Sequence, residues 1–364
     1  MQYFTNRTAQ KGAAQPVIKD TGQGGLCSTL ASCPRRKDNS MVHRVNGLCS
    51  VIIPTFNRKS NLSRIIEPLL ADPSTGEIII VIDGSNDGTL EFLEEWASRE
   101  NRIRSIYQEK TGSRVAMQAG LESAQFDIVV LLDDDVEAGP DHISGHAQFH
   151  ANTDGLVVLG YMPTVLPHPR SPGQAATFLY AKAYEEMCSF YERDARNILT
   201  HLWGGNVSLL RSTALSIGMF DELPLLRHAD MSFGLRCKEA GLVGVFDRTL
   251  TSKHLHSRTI KKFAQESWTD GEALVLIARK YPNQVSEVEP VNSVPGALVP
   301  VLQLLTMPAA EPFVSFALTK IIVISGRMKM WGVETSTARV LRLIKVSAGW
   351  RHECRSGGSP QSRG

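Results

Sequence analysis

The sequence predicts an α/β protein built on a doubly wound, mostly parallel sheet, and two observations carry that prediction. Short, predominantly apolar runs at 48–53, 77–82 and 128–132 are rich in β-branched residues, the pattern of strands buried on both faces. Helical patterns with one apolar face lie between them, and with the weaker run at 102–107 strand and helix alternate four times. Right-handed crossovers then bring the loops after the strands to one sheet edge, where open α/β sheets bind ligands.

The elements follow in order. Residues 1–46 hold seven Lys or Arg against two acids and no apolar periodicity, so a disordered basic tail without a signal peptide is expected. The first strand closes at Pro54, and Ser60 or Asn61 is placed to cap a helix whose apolar residues Leu62, Ile65, Ile66 and Leu69 share a face. The second strand runs into Asp83 and a Gly-rich loop, followed by a helix to about residue 99. A loop at 110–114 precedes a helix to 124 and the strand at 128–132. Past Pro140 the pattern loosens, with an edge strand expected at 156–160, helices at 175–193 and from near Asp230 to Gly241, a strand at 242–246 and a helix at 260–280.

This delimits a domain at 47–282, a helical extension at 283–350 and a disordered tail at 351–364. Residues 313–324 are apolar apart from Ser315, Thr319 and Lys320, short of the roughly 20 residues a spanning helix needs. Further on, Arg339, Arg342 and Lys345 share one side of a helix and Val340, Leu341 and Ile344 another. That pattern fits either peripheral contact with an anionic membrane or packing on the domain with the basic side in solvent.

Across all 364 residues the formal net charge is only +2, so charge does not point to nucleic acid. The six cysteines form no Cys-x-x-Cys pair and read as reduced thiols, which suggests a cytoplasmic protein, with the inner face of the membrane as its peripheral location.

The strand at 128–132 runs directly into Asp133, Asp134 and Asp135. Clustered carboxylates repel one another unless a cation or hydrogen bonds offset the charge. A hard divalent metal carrying a phosphorylated ligand is one reading, and a solvated acidic turn capping the next helix is the other.

Several ordered motifs bear on the choice. Val51-Ile-Ile-Pro-Thr-Phe-Asn57, Ile82-Asp-Gly-Ser-Asn-Asp-Gly-Thr89, the Asp133 triplet, Gly204-Gly-Asn206 with Arg211, Phe220-Asp-Glu222, and Asp230 six before Arg236 follow one another. In this order and spacing they resemble the inverting family 2 glycosyltransferases of GT-A fold over residues 48–280. The resemblance implies a Rossmann-like sheet flanked by helices, a nucleotide-diphosphate sugar donor with a UDP-sugar favoured, Mn2+ or Mg2+, and a glycan, lipid-linked or small-molecule acceptor.

It also implies roles. Asp135 and Asp133 would hold the metal with His254, Asp133 turning toward the ribose. Pro54, Thr55, Asp83, Arg114 and Asp134 would line the donor, with Asp134 on the opposite face if the strand persists and the most tolerant of replacement. Asp87 reads as a turn and capping residue. Trp203, Gly204, Gly205 and Asn206 would meet the sugar or acceptor. Asp230 would be the base for the acceptor hydroxyl, and also a helix cap. His254 and His256 alternate, so only one should face the site.

Three positions depart from the family pattern: Ile82 where a second Asp is usual, Met117 where Arg is, and Ala229 where Glu is. They leave open a catalytically silent sugar-nucleotide-binding or scaffolding module. A nucleotidyltransferase fits less well, because Pro54-Thr-Phe-Asn57 is not the Gly-rich basic loop that chemistry needs.

Overall fold

A computed structural model describes residues 47–219, 223–285 and 288–356. The tail expected at 1–46, Phe220-Asp-Glu222 and residues 357–364 lie outside them. In chain order the elements are β1 (Cys49–Thr55), α1 (Lys59–Ala71), β2 (Thr75–Asp83), α2 (Thr89–Ala97), β3 (Ile103–Gln108), α3 (Ser113–Ser123), β4 (Ile128–Leu132), β5 (Val136–Ala138) and α4 (His142–His150). Then come β6 (Leu156–Tyr161), α5 (Ala175–Arg193), α6 (Asn197–Thr200), β7 (Asn206–Leu210), α7 (Arg211–Ile217), α8 (Ala229–Glu239), β8 (Val243–His254) and α9 (Ile260–Lys280). The C-terminal helices are α10 (Val299–Leu305), α11 (Glu311–Arg327) and α12 (Trp331–Ser356).

The eight strands form one mixed sheet in the order β3-β2-β1-β4-β7-β6-β8-β5. The first four are parallel; β7 runs antiparallel to both β4 and β6, and β5 antiparallel to β8. A mostly parallel sheet flanked by helices, with a helical C-terminal part, is therefore the architecture expected. One detail differs: β6 pairs with β7 on one side and β8 on the other, so it lies inside the sheet and not at its edge.

Strand alternation builds the two cores. Val51, Ile53, Ile78 and Ile80 face the side packed by Leu62, Ile65 and Leu93 of α1 and α2. Ile52, Ile79 and Val81 face the other side, with Ala116 and Leu121 of α3. Ile82 belongs to the first core and is fully buried, so an Asp there would not simply add a polar contact. Each such side chain contributes roughly 1.5–3 kcal/mol of burial free energy.

Helix α1 begins at Lys59, before both expected caps, and its N-cap residue is Arg58. The capping oxygen comes from across the loop: Asp87 Oδ2 accepts from the Lys59 amide at 3.0 Å, while Oδ1 accepts from the Thr89 hydroxyl.

Helix α12 continues to Ser356, so residues 351–356 are helical and not part of a tail. It packs on α9 through Val346 and Trp350 against Leu274 and Val275. The shared basic side turns inward at two of its three positions. Lys345 pairs with Glu311 at 2.7 Å, and Arg342 lies 3.7 Å from Asp270. No helix among the described residues is long and apolar enough to cross a membrane.

Candidate active site

Strand β4 stops at Leu132 and the chain turns at once, the Val136 amide donating to the Asp133 carbonyl at 3.1 Å. Because the strand has ended, the alternation expected to send Asp134 to the opposite face does not apply. All three acids line one cavity of about 1040 Å3. Asp134 Oδ2 accepts from the Thr55 hydroxyl at 2.8 Å, and its Oδ1 lies 3.7 Å from Arg58 Nε. Asp134 is thus a tied member of the cluster, and Thr55 acts through it.

Asp135 is the hub. Its Oδ2 accepts from Arg58 Nη1 at 2.8 Å, and its Oδ1 lies 3.2 Å from His254 Nε2, with His256 Nδ1 3.8 Å from Oδ2. Both histidines therefore face the site, where alternation allowed one. Strand β8 ends at His254, and the Leu255 amide is drawn onto the Asp135 carbonyl at 2.7 Å, which breaks the period of two. Burial would raise the Asp135 pKa, but hydrogen bonds from His254 and His256 and the charge of Arg58 outweigh it and hold the carboxyl well below its ordinary range. Asp133 has no such donors: burial, then the neighbouring Asp135 charge, push it up to about 7.

Donor atoms of Asp135, His254 and His256 lie within 4.8 Å of one another and could hold a metal ion. Each ring also keeps one buried nitrogen without a protein partner, His254 Nδ1 and His256 Nε2. One carboxylate and two imidazoles suit a divalent first-row ion, so the residues present fit the expected cofactor.

The Gly204–Gly205 pair separates the acid triplet from Asp230. A Cβ on Gly205, at φ +101°, would sit 2.6 Å from Asp133 Oδ2, and one on Gly204 would sit 3.1 Å from the Asp230 Cβ. Glycine is required at Gly205 by both its φ and this approach, while at Gly204 a side chain would press on Asp230. The Gly204 amide donates to Asp230 Oδ2 at 2.9 Å, and the Asp133 amide donates to the Gly205 carbonyl at 3.1 Å.

Asp230 lies in the first turn of α8, but the N-cap is His228, held at φ +58°. His228 and Arg227 both reach the buried Asp270 of α9, at 3.4 and 2.9 Å. Asp270 thereby fixes the segment that presents Asp230.

Other expected residues divide. Pro54, Arg114 and Trp203 line the cavity, as do the departure positions Met117 and Ala229. Arg114 Nη2 donates to the Leu225 carbonyl at 2.7 Å, and the Trp203 indole donates to the Tyr180 hydroxyl at 3.0 Å. Asp83 does not line the cavity. Its carboxylate accepts from Gln108 and from the Thr111 and Gly112 amides at 2.8–2.9 Å and so orders the loop before α3. Burial would raise its pKa, and these hydrogen bonds override that and lower it.

Asn206 is a correction. As the first residue of β7 it points to the far face, where its Oδ1 meets His142 Nε2 at 2.9 Å and His146 Nε2 at 3.0 Å, and it is 1% exposed. Its role is in the sheet and not with a sugar.

Sequence reading missed Arg58, Tyr180 and Asp270. Arg58 directly follows the Pro-Thr-Phe-Asn turn. Asp270 had a signal, because it falls in the buried stripe Phe263, Ser267, Leu274 and Ile277 of α9, where an unpaired acid is not tolerated.

The chain is similar to several known glycosyltransferases. The chain is 35% identical over 201 residues to validoxylamine A glucosyltransferase of Streptomyces hygroscopicus subsp. limoneus, covering 48% of this chain and 44% of that one. It is 30% identical over 121 residues to the undecaprenyl-phosphate 4-deoxy-4-formamido-L-arabinose transferase of Aeromonas hydrophila, covering 32% of this chain and 36% of that one. The chain thus spans less than half the length of either relative. A mannosyltransferase from Pyrobaculum calidifontis, solved with GDP-Man and Mn2+, superimposes with a TM-score of 0.49 at 16% identity, covering 83% of this chain and 87% of that one. Residues 50–214, which contain the acid triplet, Gly204–Gly205 and strands β2 to β7, match the model of Glycosyl transferase family 2.

Proposed function

We propose that the chain transfers a glycosyl group from a nucleotide-diphosphate sugar to an acceptor hydroxyl, with inversion and with a divalent metal. The observation that carries this reading is the placement of Asp133 and Asp230 on either side of Gly204–Gly205 at the wall of one cavity. A donor-side acid cluster and a base for the acceptor are thereby separated by bare backbone, along which a sugar ring can lie.

Asp135 with His254 and His256 would hold the ion, which when bound neutralises charge on the departing diphosphate. The remaining steps belong to protein groups. Thr55 and Arg58 hold Asp134 and Asp135 in place. Asp230, oriented by the Gly204 amide, takes the acceptor proton as the hydroxyl attacks the anomeric carbon from the side opposite the leaving group. Arg114, at the cavity wall, offers a cation to the nucleotide or diphosphate. The two relatives are named for validoxylamine A and for undecaprenyl phosphate, so a small-molecule and a lipid-linked acceptor both stay within the proposal.

The test is turnover of UDP-, GDP- and TDP-sugars with Mn2+ or Mg2+, with and without chelator, beside the Asp230→Asn variant. Asparagine can still accept from the Gly204 amide, so donor-induced thermal stabilisation should persist while turnover drops by about 10²–10⁴-fold. Donor-induced stabilisation without turnover of any donor would leave the silent sugar-nucleotide-binding module in its place, and absence of both would leave only the scaffolding one.

A further inference from the structure

Helix α11 buries only part of its apolar surface. Toward the protein it turns Ile322, in one core cluster with Phe263 and Ala338, beside Glu311, Ser315, Ser325 and Gly326, all buried. Toward solvent it turns Phe313 at 77% exposure, Phe316 at 64% and Ile324 at 55%, with Met328 just past its end. The polar side is satisfied within the fold: Ser315 donates to Glu311, which pairs with Lys345, and Ser325 donates to the Ile321 carbonyl. Before α11, Val301 and Leu304 of α10 are exposed as well. A surface helix in water turns its large apolar side chains inward, and a group of exposed ones marks an interaction surface.

We propose that the outward face of α10 and α11 docks on an anionic lipid bilayer, lying in its interface. Charge selects this occupant. Residues 298–340 contain only two acids, Glu311 and Glu334, and both are buried, Glu334 against Arg170 at 2.6 Å. Every charged side chain that this stretch exposes is cationic: Lys320, Arg327, Lys329 and Arg339. A second copy of the chain, related by a two-fold axis, would set these cations against their own images, whereas an anionic headgroup layer is complementary to them. The Lys320 ammonium lies over the Phe316 ring, with Nζ 5.1 Å from the centroid, so a cationic head sits directly beside the exposed apolar face. At 17 residues α11 is roughly 26 Å long, and no helix among the described residues is apolar and long enough to span, so the helix lies along the surface.

This surface differs from the basic side of α12, whose Arg342 and Lys345 are paired inward. Helix α12 packs between α11 and α9 and contributes Arg339 and Arg342 to the cavity wall. A docked bilayer would therefore lie one helix away from the cavity.

Flotation of the full chain with phosphatidylcholine vesicles, with and without phosphatidylglycerol, tests the proposal without any assay of turnover. The chain is expected to float with the anionic vesicles and to partition about a hundredfold less onto neutral ones, given Lys320, Arg327 and Lys329 on and just after α11. A Phe313→Ser, Phe316→Ser double variant should lose about tenfold or more of the partitioning with its melting temperature unchanged, since both rings are exposed. The proposal is overturned if the chain does not bind anionic vesicles, if the double variant binds as well as its parent, or if light scattering finds a dimer that the double variant abolishes.

Discussion

Asp270→Asn should destabilise the chain by about 3 kcal/mol and disable the site together. The carboxylate is 6% exposed and faces Arg227 at 2.9 Å, His228 at 3.4 Å and Arg342 at 3.7 Å. Removing one member of a buried ion pair costs about 3–5 kcal/mol, because the partner keeps an uncompensated charge. Two features move the value to the low end: the amide oxygen can still accept from Arg227, and the Arg227 side chain is 32% exposed, so water screens part of its charge. Urea denaturation at neutral pH should show a lower midpoint with an unchanged slope. Burial acts to raise the Asp270 pKa, but hydrogen bonding and charge from His228, with Arg227 and Arg342, hold it below its ordinary value. A depressed carboxyl contributes stability that is present above the unfolded value near 3.9 and lost as pH falls below it, so the parent and variant should converge in acid. Because the same carboxylate fixes the segment presenting Asp230, turnover should fall further than stability alone explains at temperatures where both proteins are folded. A stability loss under about 1 kcal/mol, or full turnover in the variant, would refute the role given to Asp270.

Asn206→Ala should cost about 1–3 kcal/mol by leaving His142 and His146 without their shared acceptor, while donor-induced thermal shifts stay as they were; altered donor affinity at constant stability would return Asn206 to the sugar site. Gly205→Ala places a methyl 2.6 Å from Asp133 Oδ2 at φ +101°, a backbone region costing about 1–3 kcal/mol for a non-glycine residue, and donor binding measured by titration should weaken with it. The buried ladder His142, His146 and His150 makes the fold acid-sensitive. Burial takes His150 from 6.5 down to about 4, so the unfolded chain binds the proton first. The ladder's stability is complete above 6.5 and lost as pH falls toward 4, about 3 kcal/mol for His150. Asp133, raised to about 7, moves the opposite way, so the effect is read as the difference between the chain and its His150→Gln variant; parallel urea midpoints from pH 7 to 5 would contradict it.

The strands were legible because burial on both faces leaves a mark that needs no partner: Ile78–Ile82 can hardly be anything but a central strand. The helices α5 and α9 were legible to the residue, since long amphipathic periods end at clear breaks. The site residues were legible where they sit on those elements' ends, as with Asp133, Asp135, Asp230 and His254. Two errors of orientation come from extending strand alternation past the point where the strand stops. A period of two turns Asp134 to the opposite face and allows only one of His254 and His256 to face the site, but the strands end at Leu132 and at His254. Asn206 was assigned to the site because its strand was not seen, and alternation, which does apply there, turns it away. Asp87 shows a further limit: a capping role was visible, but the helix it caps is α1, 28 residues earlier in the chain.

The reversal of β7 supplies what the parallel strands alone could not. In a purely parallel sheet only the ends of strands reach the ligand edge, and β1, β2 and β4 bring Thr55, Asp83 and Asp133 there in that way. An antiparallel strand brings its beginning to the same edge. The register pairs Leu132, the last residue of β4, with Asn206, the first of β7, so the two residues before β7, Gly204 and Gly205, must lie beside the acids that follow β4. Strand β8, parallel to β6, then returns an end to this edge and delivers His254, which β5 fixes by pairing Val136 opposite it. The acid triplet is therefore held by an antiparallel neighbour on each side of its turn, Asp133 through Gly205 and Asp135 through Leu255. Lengthening the turn between Leu132 and Val136 by one residue would break both contacts, and a chain so altered should keep its parallel half while losing the carboxylate geometry on which donor binding depends.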